Sequence, residues 1–244
     1  LQFQVPDRNA QRPHFGRGHA RNVHPQPGFP ASAIFQCGKR RPAHAGDAGH
    51  GEINCMKIGL FFGSFNPVHT GHMIIANHVA NWSDLDQVWL VVTPQNPFKK
   101  SSNLARDYDR LHMVHLAIGD NPLLRPSDIE FLLPKPSYTV DTLAHLKEKH
   151  PDHDFTLIMG GDNLGSLHKW KNYEVILKNH DILVYSRPTY DLGPLIENER
   201  VTLMEAPLME ISSSFIRNSL KLKKSIQYLV PEKVWEYLDA NPIY

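Results

Sequence analysis

The sequence is poor in cysteine and has no long apolar run. These two absences argue against a disulfide-stabilised secreted domain and against a membrane-spanning protein. Its two cysteines, Cys37 and Cys55, cannot build the disulfide framework of a small secreted domain. We therefore expect a reducing, cytoplasmic compartment. No apolar stretch approaches the ~20 residues that a membrane-spanning helix needs, so we expect no membrane partner. With 244 residues, the chain is long enough to bury a core without such cross-links.

Residues 1–55 lack a periodic apolar pattern, and their basic residues outnumber the acidic ones. Scattered Pro, Gly and His offer little surface to bury, which favours disorder. The region lacks the apolar segment of a secretory signal, and Ser32 is its only serine, unlike a transit peptide. We expect a disordered arm or a non-native extension upstream of Met56, and one domain over residues 56–244. The alternative, a basic arm for nucleic acid, is disfavoured, and we expect no nucleic-acid partner.

From Met56 onward, apolar runs typical of buried strands alternate with helical patterns. The predicted strands cover residues 57–62, 87–92, 155–160, 181–186 and 201–205, with an extended segment at 123–131. The predicted helices cover residues 71–81, 105–119, 139–149 and 172–179, before a C-terminal helical part of about 212–244 with two or three short helices. This alternation indicates an α/β fold with a parallel sheet covered by helices on both faces. In the second helix, the predicted apolar positions are Tyr108, Leu111, Val114, Leu116 and Ile118.

The joint between the first strand and the first helix reads GSFNPVHTGH over residues 63–72. Gly63 and Ser64 follow the strand, where backbone must approach a ligand, and His69 and His72 stand at the start of the helix. A helix N-terminus offers unpaired N–H groups and partial positive charge, which suit phosphate, and imidazole adds a donor. A metal site is disfavoured, because neither an HExxH motif nor a cysteine partner is present. The structural alternative is that His69 caps the helix and His72 packs in the core.

A second candidate anion site is the segment ISSSFIR, residues 211–217. At least one of its three serines is expected to cap a helix. Capping does not exclude function, because hydroxyl and free N–H groups at a helix start also bind anions. Arg217, about one turn into that helix, could contact the same anion.

Together the two segments resemble the two signatures of the nucleotidylyltransferase superfamily, whose members join a phosphate to the α-phosphorus of a nucleoside triphosphate and release pyrophosphate. The resemblance implies a Rossmann-like fold, ATP with Mg²⁺, and catalytic roles for His69, His72 and Arg217, with Arg217 stabilising the leaving pyrophosphate. Asn66 stands where many members have Asp. The ATP-binding residues implied are Gly63, Ser64, Phe65, His69, His72, Gly160, Asp162, Ser212, Ser213, Ser214 and Arg217.

Further segments resemble the nicotinate-mononucleotide adenylyltransferases of bacterial type, and the likeness covers essentially all of residues 56–244. They are PSYTVDTL (136–143), IMGGDNLGSLHKWKNYEVIL (158–177), SRP (186–188) and LVPEKVWEYLDANPIY (229–244). The resemblance implies ATP and nicotinate mononucleotide as substrates, and nicotinate adenine dinucleotide and pyrophosphate as products, in NAD biosynthesis.

The residues of these segments suit such an acceptor. Trp170 offers a flat face for a pyridine ring, although ordinary helix packing would also explain it. Tyr138 and Thr139 lie at a helix start, where N–H groups could hold a carboxylate; the alternative is a simple cap by Ser137 or Thr139. Such a pocket would offer only hydrogen-bond donors. It would therefore favour nicotinate mononucleotide, which carries a carboxylate, over nicotinamide mononucleotide, which carries an amide. Asp162 could accept ribose hydroxyls or serve only as a turn residue.

The loop after the second strand departs from the family pattern. The family often has Pro-His-Lys/Arg there, whereas this sequence has NPFKK, with Phe98 in the histidine's place. Phenylalanine cannot take the role of the histidine, so Phe98 is not a site candidate. Asn96 and Lys99 are weaker substrate-binding candidates. Lys99 could equally be a solvated charge on the loop. Arg187, the remaining candidate, could hold the mononucleotide phosphate or an ATP phosphate. No dedicated metal site is predicted.

Other functions stay open from the sequence alone. The acceptor could be nicotinamide mononucleotide or pantetheine phosphate. A class I aminoacyl-tRNA synthetase core shares the first histidine motif, but the segment ISSSFIR is not the Lys-rich KMSKS-like loop that such a core should show. A nucleotide-binding module without catalysis is a further alternative. The sequence does not decide whether the protein is a monomer or a homo-oligomer.

Overall fold

A computed structural model describes residues 55–95, 104–185, 192–207 and 209–244. The predicted arm therefore lies outside the described residues, except for Cys55. The strands are β1 (Lys57–Gly63), β2 (Gln87–Val92), β3 (Leu124–Ser127), β4 (Asp154–Gly160), β5 (Ile182–Tyr185) and β6 (Val201–Met204). The α-helices are α1 (Thr70–Trp82), α2 (Asp107–Ile118), α3 (Thr139–Lys149), α4 (Gly161–Ser166), α5 (Tyr173–Asn179), α6 (Ser213–Lys221) and α7 (Glu232–Ala240).

The strands form one parallel sheet in the order β3-β2-β1-β4-β5-β6. The chain builds outward from β1 to β3, then returns to place β4 on the other side of β1. This reversal is the topological switch point at which open α/β sheets bind ligands, beyond the carboxyl ends of the strands. The predicted α/β fold with a Rossmann-like parallel sheet is confirmed.

The core consists of two apolar layers, one on each face of the sheet. Helices α1, α2, α6 and α7 contribute to one layer, and α3, α4 and α5 contribute to the other. Residues of β1 alternate between them, with Leu60 in the second layer and Phe61 in the first, as the two-residue period of a strand requires. Burial on both faces explains why the strands have continuous apolar sequences.

Two local predictions are wrong. In α2, the predicted apolar position Tyr108 is 73% exposed, whereas Arg110 is fully buried. The segment at 123–131 is extended only through β3, and then forms a short 3₁₀ helix at Ile129–Leu132. That turn places Glu130 in the interior. Of the helices within the described ranges, none has both the length and the apolar character needed to cross a membrane.

Candidate active site

Two adjoining cavities lie beyond the carboxyl ends of the central strands. The histidine cavity, of about 420 Å³, includes His69, His72 and Arg217 in its lining. The tryptophan cavity, of about 220 Å³, includes Trp170 and Tyr138. The residues common to both linings are Phe62, Gly63, Ser64, Asp162 and Asn163. The end of β1 with the loop after it and the first turn of α4 therefore form a shared wall between the two cavities. Ligands bound in the two cavities would contact each other at this wall.

The two histidines are held together at the start of α1. His69 is the N-cap residue, and its backbone N–H donates to Nδ1 of His72 at 3.2 Å. Because Nδ1 accepts, the neutral His72 ring carries its proton on Nε2, where it is a donor. The rings stack with centroids 3.7 Å apart. Gly71 makes room for this arrangement, since a Cβ there would lie 3.2 Å from the His69 ring.

The serine segment and the histidine segment meet at the start of α6. Ser212 is the N-cap, and its hydroxyl accepts from the Phe215 N–H at 3.2 Å, which confirms the predicted cap. The Ser213 hydroxyl donates to the Pro67 carbonyl at 3.0 Å. Ser214 also lines the histidine cavity. The start of α6 is thus joined directly to the loop that carries His69.

Arg217 reinforces this connection. Its Nη1 donates to the Asn66 carbonyl at 2.8 Å, and its Nη2 donates to the Ser214 hydroxyl at 3.2 Å. One arginine therefore fixes the loop after β1 and still contributes to the cavity lining. The sequence predicted an anion contact for Arg217 but not its bond to Asn66.

Asn66 is buried and organises the same loop. Its Oδ1 accepts from the Ala105 N–H at 3.0 Å and from the Tyr244 hydroxyl at 2.7 Å. Burial raises the pKa of Tyr244, so its phenol stays protonated and remains a donor. An aspartate, which many superfamily members have at this position, would offer the same acceptor oxygen. The C-terminal segment thereby contacts the loop that borders both cavities.

Arg110 is a second buried residue that sequence reasoning missed. Its guanidinium donates to the Ser64 carbonyl at 2.6 Å, to the Thr93 carbonyl at 2.8 Å, and to the carbonyls of Pro94 and Ala105 at 3.2 Å each. It thus ties together the loops after β1 and β2. Because C=O and the next N–H of a trans peptide point in opposite directions, the bond to Ser64 leaves the following N–H directed away from Arg110.

The tryptophan cavity lies between the start of α3 and the segment before α5. Trp170 lines it and also packs against one apolar layer, which confirms the packing, whereas the stacking on a pyridine ring stays a prediction. Tyr138 is the N-cap of α3 and Thr139 is its first residue. The alternative of a simple serine or threonine cap is wrong, because α3 has no side-chain cap and the Ser137 hydroxyl donates to Glu130.

Several lining residues of this cavity were not predicted, among them Lys171, Asn163 and Glu130. Lys171 stands beside Trp170, forms an ion pair with Asp141 at 2.8 Å, and lies 4.9 Å from the centroid of the Tyr138 ring. Asn163 belongs to the shared wall. Glu130 lies in the cavity lining, so the expectation of a pocket with donors only is wrong. Asn163 and Lys171 fall within the family-like segment at 158–177, but neither residue type indicates a ligand by itself, and Glu130 lies outside every such segment.

Some predicted residues are not brought to the cavities. Gly160 ends β4 and is absent from both linings, because the Asp162 carboxylate and the Tyr185 ring fill the space beside its Cα. Asn96, Lys99 and Arg187 lie outside the described residues, as does Phe98. Their roles stay predictions.

A larger cavity lies elsewhere in the described part of the chain. It measures about 620 Å³ and opens at the amino ends of β1 and β4, between α3 and α5. Charged groups on its wall are already paired, as in Arg200 with Asp181 at 3.1 Å and Lys57 with Asp84. Since α/β sheets bind ligands at the opposite end, volume alone does not identify the active site, and we assign it to the two smaller cavities.

Comparison with known proteins identifies the family of this chain. The cytidylyltransferase-like family model matches residues 60–219. A relative from Flavobacterium psychrophilum, named "probable nicotinate-nucleotide adenylyltransferase", is 60% identical over 191 residues, which are 78% of this chain and 99% of that protein. The chain belongs to the nicotinate-nucleotide adenylyltransferase family. A more distant member from Salinibacter ruber bears the same name and is 38% identical over 78% of this chain and 98% of its own.

A solved structure shares the fold of this chain. Plasmodium falciparum nicotinic acid mononucleotide adenylyltransferase, in complex with NaAD, aligns over 76% of this chain and 95% of its own. The TM-score is 0.66 at 21% identity. The comparisons therefore show the family and the fold of this chain.

Proposed function

We propose that this protein transfers the adenylyl group of ATP to nicotinate mononucleotide, giving nicotinate adenine dinucleotide and pyrophosphate in NAD biosynthesis. One observation carries the proposal. The cavity with the two histidines and Arg217 shares a wall with the cavity of Trp170 and the α3 N-terminus. A triphosphate in the first and a pyridine mononucleotide in the second would place both reacting phosphates beside Ser64.

The reaction is a displacement at phosphorus. A phosphate oxygen of the mononucleotide attacks the α-phosphorus of ATP, and the bond from that phosphorus to the bridging oxygen breaks as pyrophosphate leaves. The attacking oxygen is already anionic, so no general base is needed. The protein's contribution is positioning and stabilisation of the charge that develops.

In this reaction, the donors of the histidine cavity contact the triphosphate. His69 and His72 face the charge that develops at the α-phosphoryl group, and Arg217 stabilises the leaving pyrophosphate. Mg²⁺ enters as part of the Mg·ATP substrate, where it neutralises phosphate charge. The remaining ATP ligands proposed are Gly63, Ser64, Phe65, Asp162, Ser212, Ser213 and Ser214.

The tryptophan cavity receives the acceptor. The Trp170 ring stacks on the pyridine, and N–H groups at Tyr138 and Thr139 hold its carboxylate. The family's named relatives support this assignment of the acceptor. Asn96, Lys99 and Arg187 remain proposed contacts of the substrate phosphates.

The test is incubation of the purified protein with Mg·ATP and each of three acceptors in turn: nicotinate mononucleotide, nicotinamide mononucleotide and pantetheine phosphate. We expect pyrophosphate release and a dinucleotide of the correct mass with nicotinate mononucleotide. Turnover with pantetheine phosphate alone would contradict the proposed acceptor. Binding of ATP without turnover of any acceptor would indicate a module without catalysis.

Arg217→Lys is expected to lower kcat/KM for ATP by about one to two decades. Arg217 already directs one N–H group to Asn66 and another to Ser214, and a single ammonium cannot replace both bonds and contact a phosphate. Charge-assisted hydrogen bonds contribute about 1.5–3 kcal/mol. Steady-state kinetics at varied ATP measures the effect. Arg200→Lys, at an arginine paired with Asp181 by the other cavity, is the control and should match the parent.

Trp170→Ala is expected to raise KM for nicotinate and nicotinamide mononucleotides by a similar factor, about tenfold, because stacking contributes about 1–3 kcal/mol per ring. KM for ATP should change little. Trp82→Ala removes a tryptophan that is 76% exposed on α1 and controls for loss of an indole. Parental KM values for both mononucleotides in Trp170→Ala would assign this residue to core packing alone.

A further inference from the structure

A tyrosine outside both cavities is hydrogen-bonded to the loop that carries the histidines. Tyr244 follows α7, and its ring packs against the apolar layer to which α1, α2, α6 and α7 contribute. Its hydroxyl lies 2.7 Å from Oδ1 of Asn66. Tyr244 is absent from both cavity linings, so any effect that it has on the reaction would pass through Asn66.

The direction of this hydrogen bond follows from a second contact of the same oxygen. The backbone N–H of Ala105, which can only donate, lies 3.0 Å from Oδ1 of Asn66. The amide oxygen therefore faces both groups, and the Tyr244 hydroxyl is the donor in its own bond. Burial raises the pKa of Tyr244, and the positive charges of Arg217 and Arg110 only partly oppose that effect, so the hydroxyl keeps its proton.

The residue before Asn66 has a backbone conformation that needs support from its surroundings. Phe65 has a φ of +43°, in the left-handed region that bulky side chains rarely adopt. Such a conformation persists only where neighbouring contacts hold it. On one side, Arg110 donates to the Ser64 carbonyl at 2.6 Å. On the other side, the bond from Tyr244 fixes the side chain of Asn66.

Phe65 and Asn66 each contact a proposed catalytic group of the histidine cavity. The Phe65 ring meets the His72 ring edge-on, with centroids 5.1 Å apart. The Asn66 carbonyl accepts from Nη1 of Arg217 at 2.8 Å. A shift of the loop at these two residues would therefore move His72 and Arg217 relative to ATP. A misplacement of about 1 Å is enough to lower a rate by about 10².

We propose that Tyr244 is a positioning residue for adenylyl transfer: its hydrogen bond to Asn66 holds the loop after β1 in the conformation that aligns the catalytic groups of the histidine cavity with ATP. The inference rests on the proposed function. Tyr244 packs against one apolar layer and Trp170 against the other. Binding of the mononucleotide should therefore be independent of Tyr244, whereas the rate of the transfer depends on it.

Tyr244→Phe tests this role, because it removes the hydroxyl and keeps the ring in the apolar layer. We expect kcat to fall about three- to tenfold, since one neutral hydrogen bond to the loop is lost while the bond from Ala105 remains. KM for nicotinate mononucleotide should stay at the parental value. Pyrophosphate release at saturating Mg·ATP and varied nicotinate mononucleotide measures both constants.

Tyr237→Phe is the matched control. Tyr237 packs against the same apolar layer, but its hydroxyl donates to Asp109 at 3.2 Å instead of to the loop. This variant loses the same chemical group and should keep the parental kcat. Thermal unfolding of both variants, with kinetics measured well below either transition, separates a loss of stability from a loss of positioning.

A second pair of variants tests whether the effect passes through Asn66. Asn66→Asp keeps an acceptor oxygen at this position and gives it a negative charge, and hydrogen bonds to charged groups are about twice as strong as neutral ones. Tyr244→Phe is therefore expected to lower kcat by a larger factor in the Asn66→Asp background, about tenfold or more. An equal factor in both backgrounds would mean that Tyr244 does not act through residue 66.

The outcomes separate this inference from the proposed function. The role of Tyr244 is overturned by a parental kcat in Tyr244→Phe, by a raised KM for the mononucleotide with kcat unchanged, or by an equal loss of kcat in Tyr237→Phe. In each case the parent still turns over nicotinate mononucleotide. A parent without that turnover overturns the proposed function, and the role of Tyr244 falls with it. If Asn66→Asp does not fold, kcat and KM of Tyr244→Phe still decide.

Discussion

His72→Ala is expected to lower kcat by about 10²–10³, the usual effect of losing one preorganised donor to a developing oxyanion. KM for ATP should change much less, because the donor is proposed to interact more strongly with the transition state than with bound substrate. The structure shows why His72 is preorganised. Its Nδ1 accepts the His69 backbone N–H, and its ring contacts Phe61 and Phe65 edge-on, so the orientation of its other nitrogen is set before ATP binds.

Single-turnover measurements of pyrophosphate release at saturating ATP would isolate this step. His78→Ala is the matched control, since His78 lies on α1, stacks on Trp82, and is absent from the histidine-cavity lining. It should retain parental turnover. Parental kcat in His72→Ala, with an unfolding transition shifted to lower temperature, would show that His72 only packs against the phenylalanines.

The sheet was predictable because its signal is local. A strand buried on both faces must be apolar along its whole length, and β1, β2, β4 and β5 show this directly. Less of β3 was predictable. Its four residues include Arg125 and Pro126, and in the turn that follows Glu130 is buried and hydrogen-bonded to Ser137 and Thr142, which no apolar period reveals.

The histidine cavity was also predictable, because its chemistry is concentrated in two short segments at helix starts. Residues of both segments line one cavity, although Asn66 and Arg217 are 151 positions apart. The tryptophan cavity was predicted only in part. Glu130 accepts hydrogen bonds from Ser137 and Thr142, and such a network is defined by the packing of the 3₁₀ helix against α3 rather than by any pattern in the sequence.

Arg110 is the clearest case in which the spacing of apolar residues fails to predict which side chains of a helix are buried. The helical pattern predicted an apolar face that included Tyr108, yet the structure buries Arg110 and exposes the tyrosine. The reason is that carbonyl groups of the loops after β1 and β2 converge on this point. Buried carbonyls need donors, and arginine supplies five in one planar group.

Arg110→Met is therefore expected to lower the free energy of unfolding by about 3–5 kcal/mol, the usual loss when one partner of a buried charged network is removed. Four carbonyls lose a donor, and an unsatisfied buried group costs about 1–3 kcal/mol. Urea unfolding, fitted with a common slope, measures the change. Arg106→Met, at the exposed N-cap of α2, is the matched control and should cost less than about 1 kcal/mol.

The pH dependence of this loss provides a second check. Burial alone would raise the pKa of Asp107, but hydrogen bonds from Lys135 and Arg110 outweigh it, and the pKa is lowered. A carboxyl group with a lowered pKa stabilises the fold above its unfolded-state pKa, and that stability is lost as pH falls through the folded-state value. Arg110→Met removes one of the two cations, so its deficit relative to the parent should narrow in acid. A deficit that stays constant down to the acid transition would mean that the carbonyl contacts, rather than Asp107, account for the whole effect.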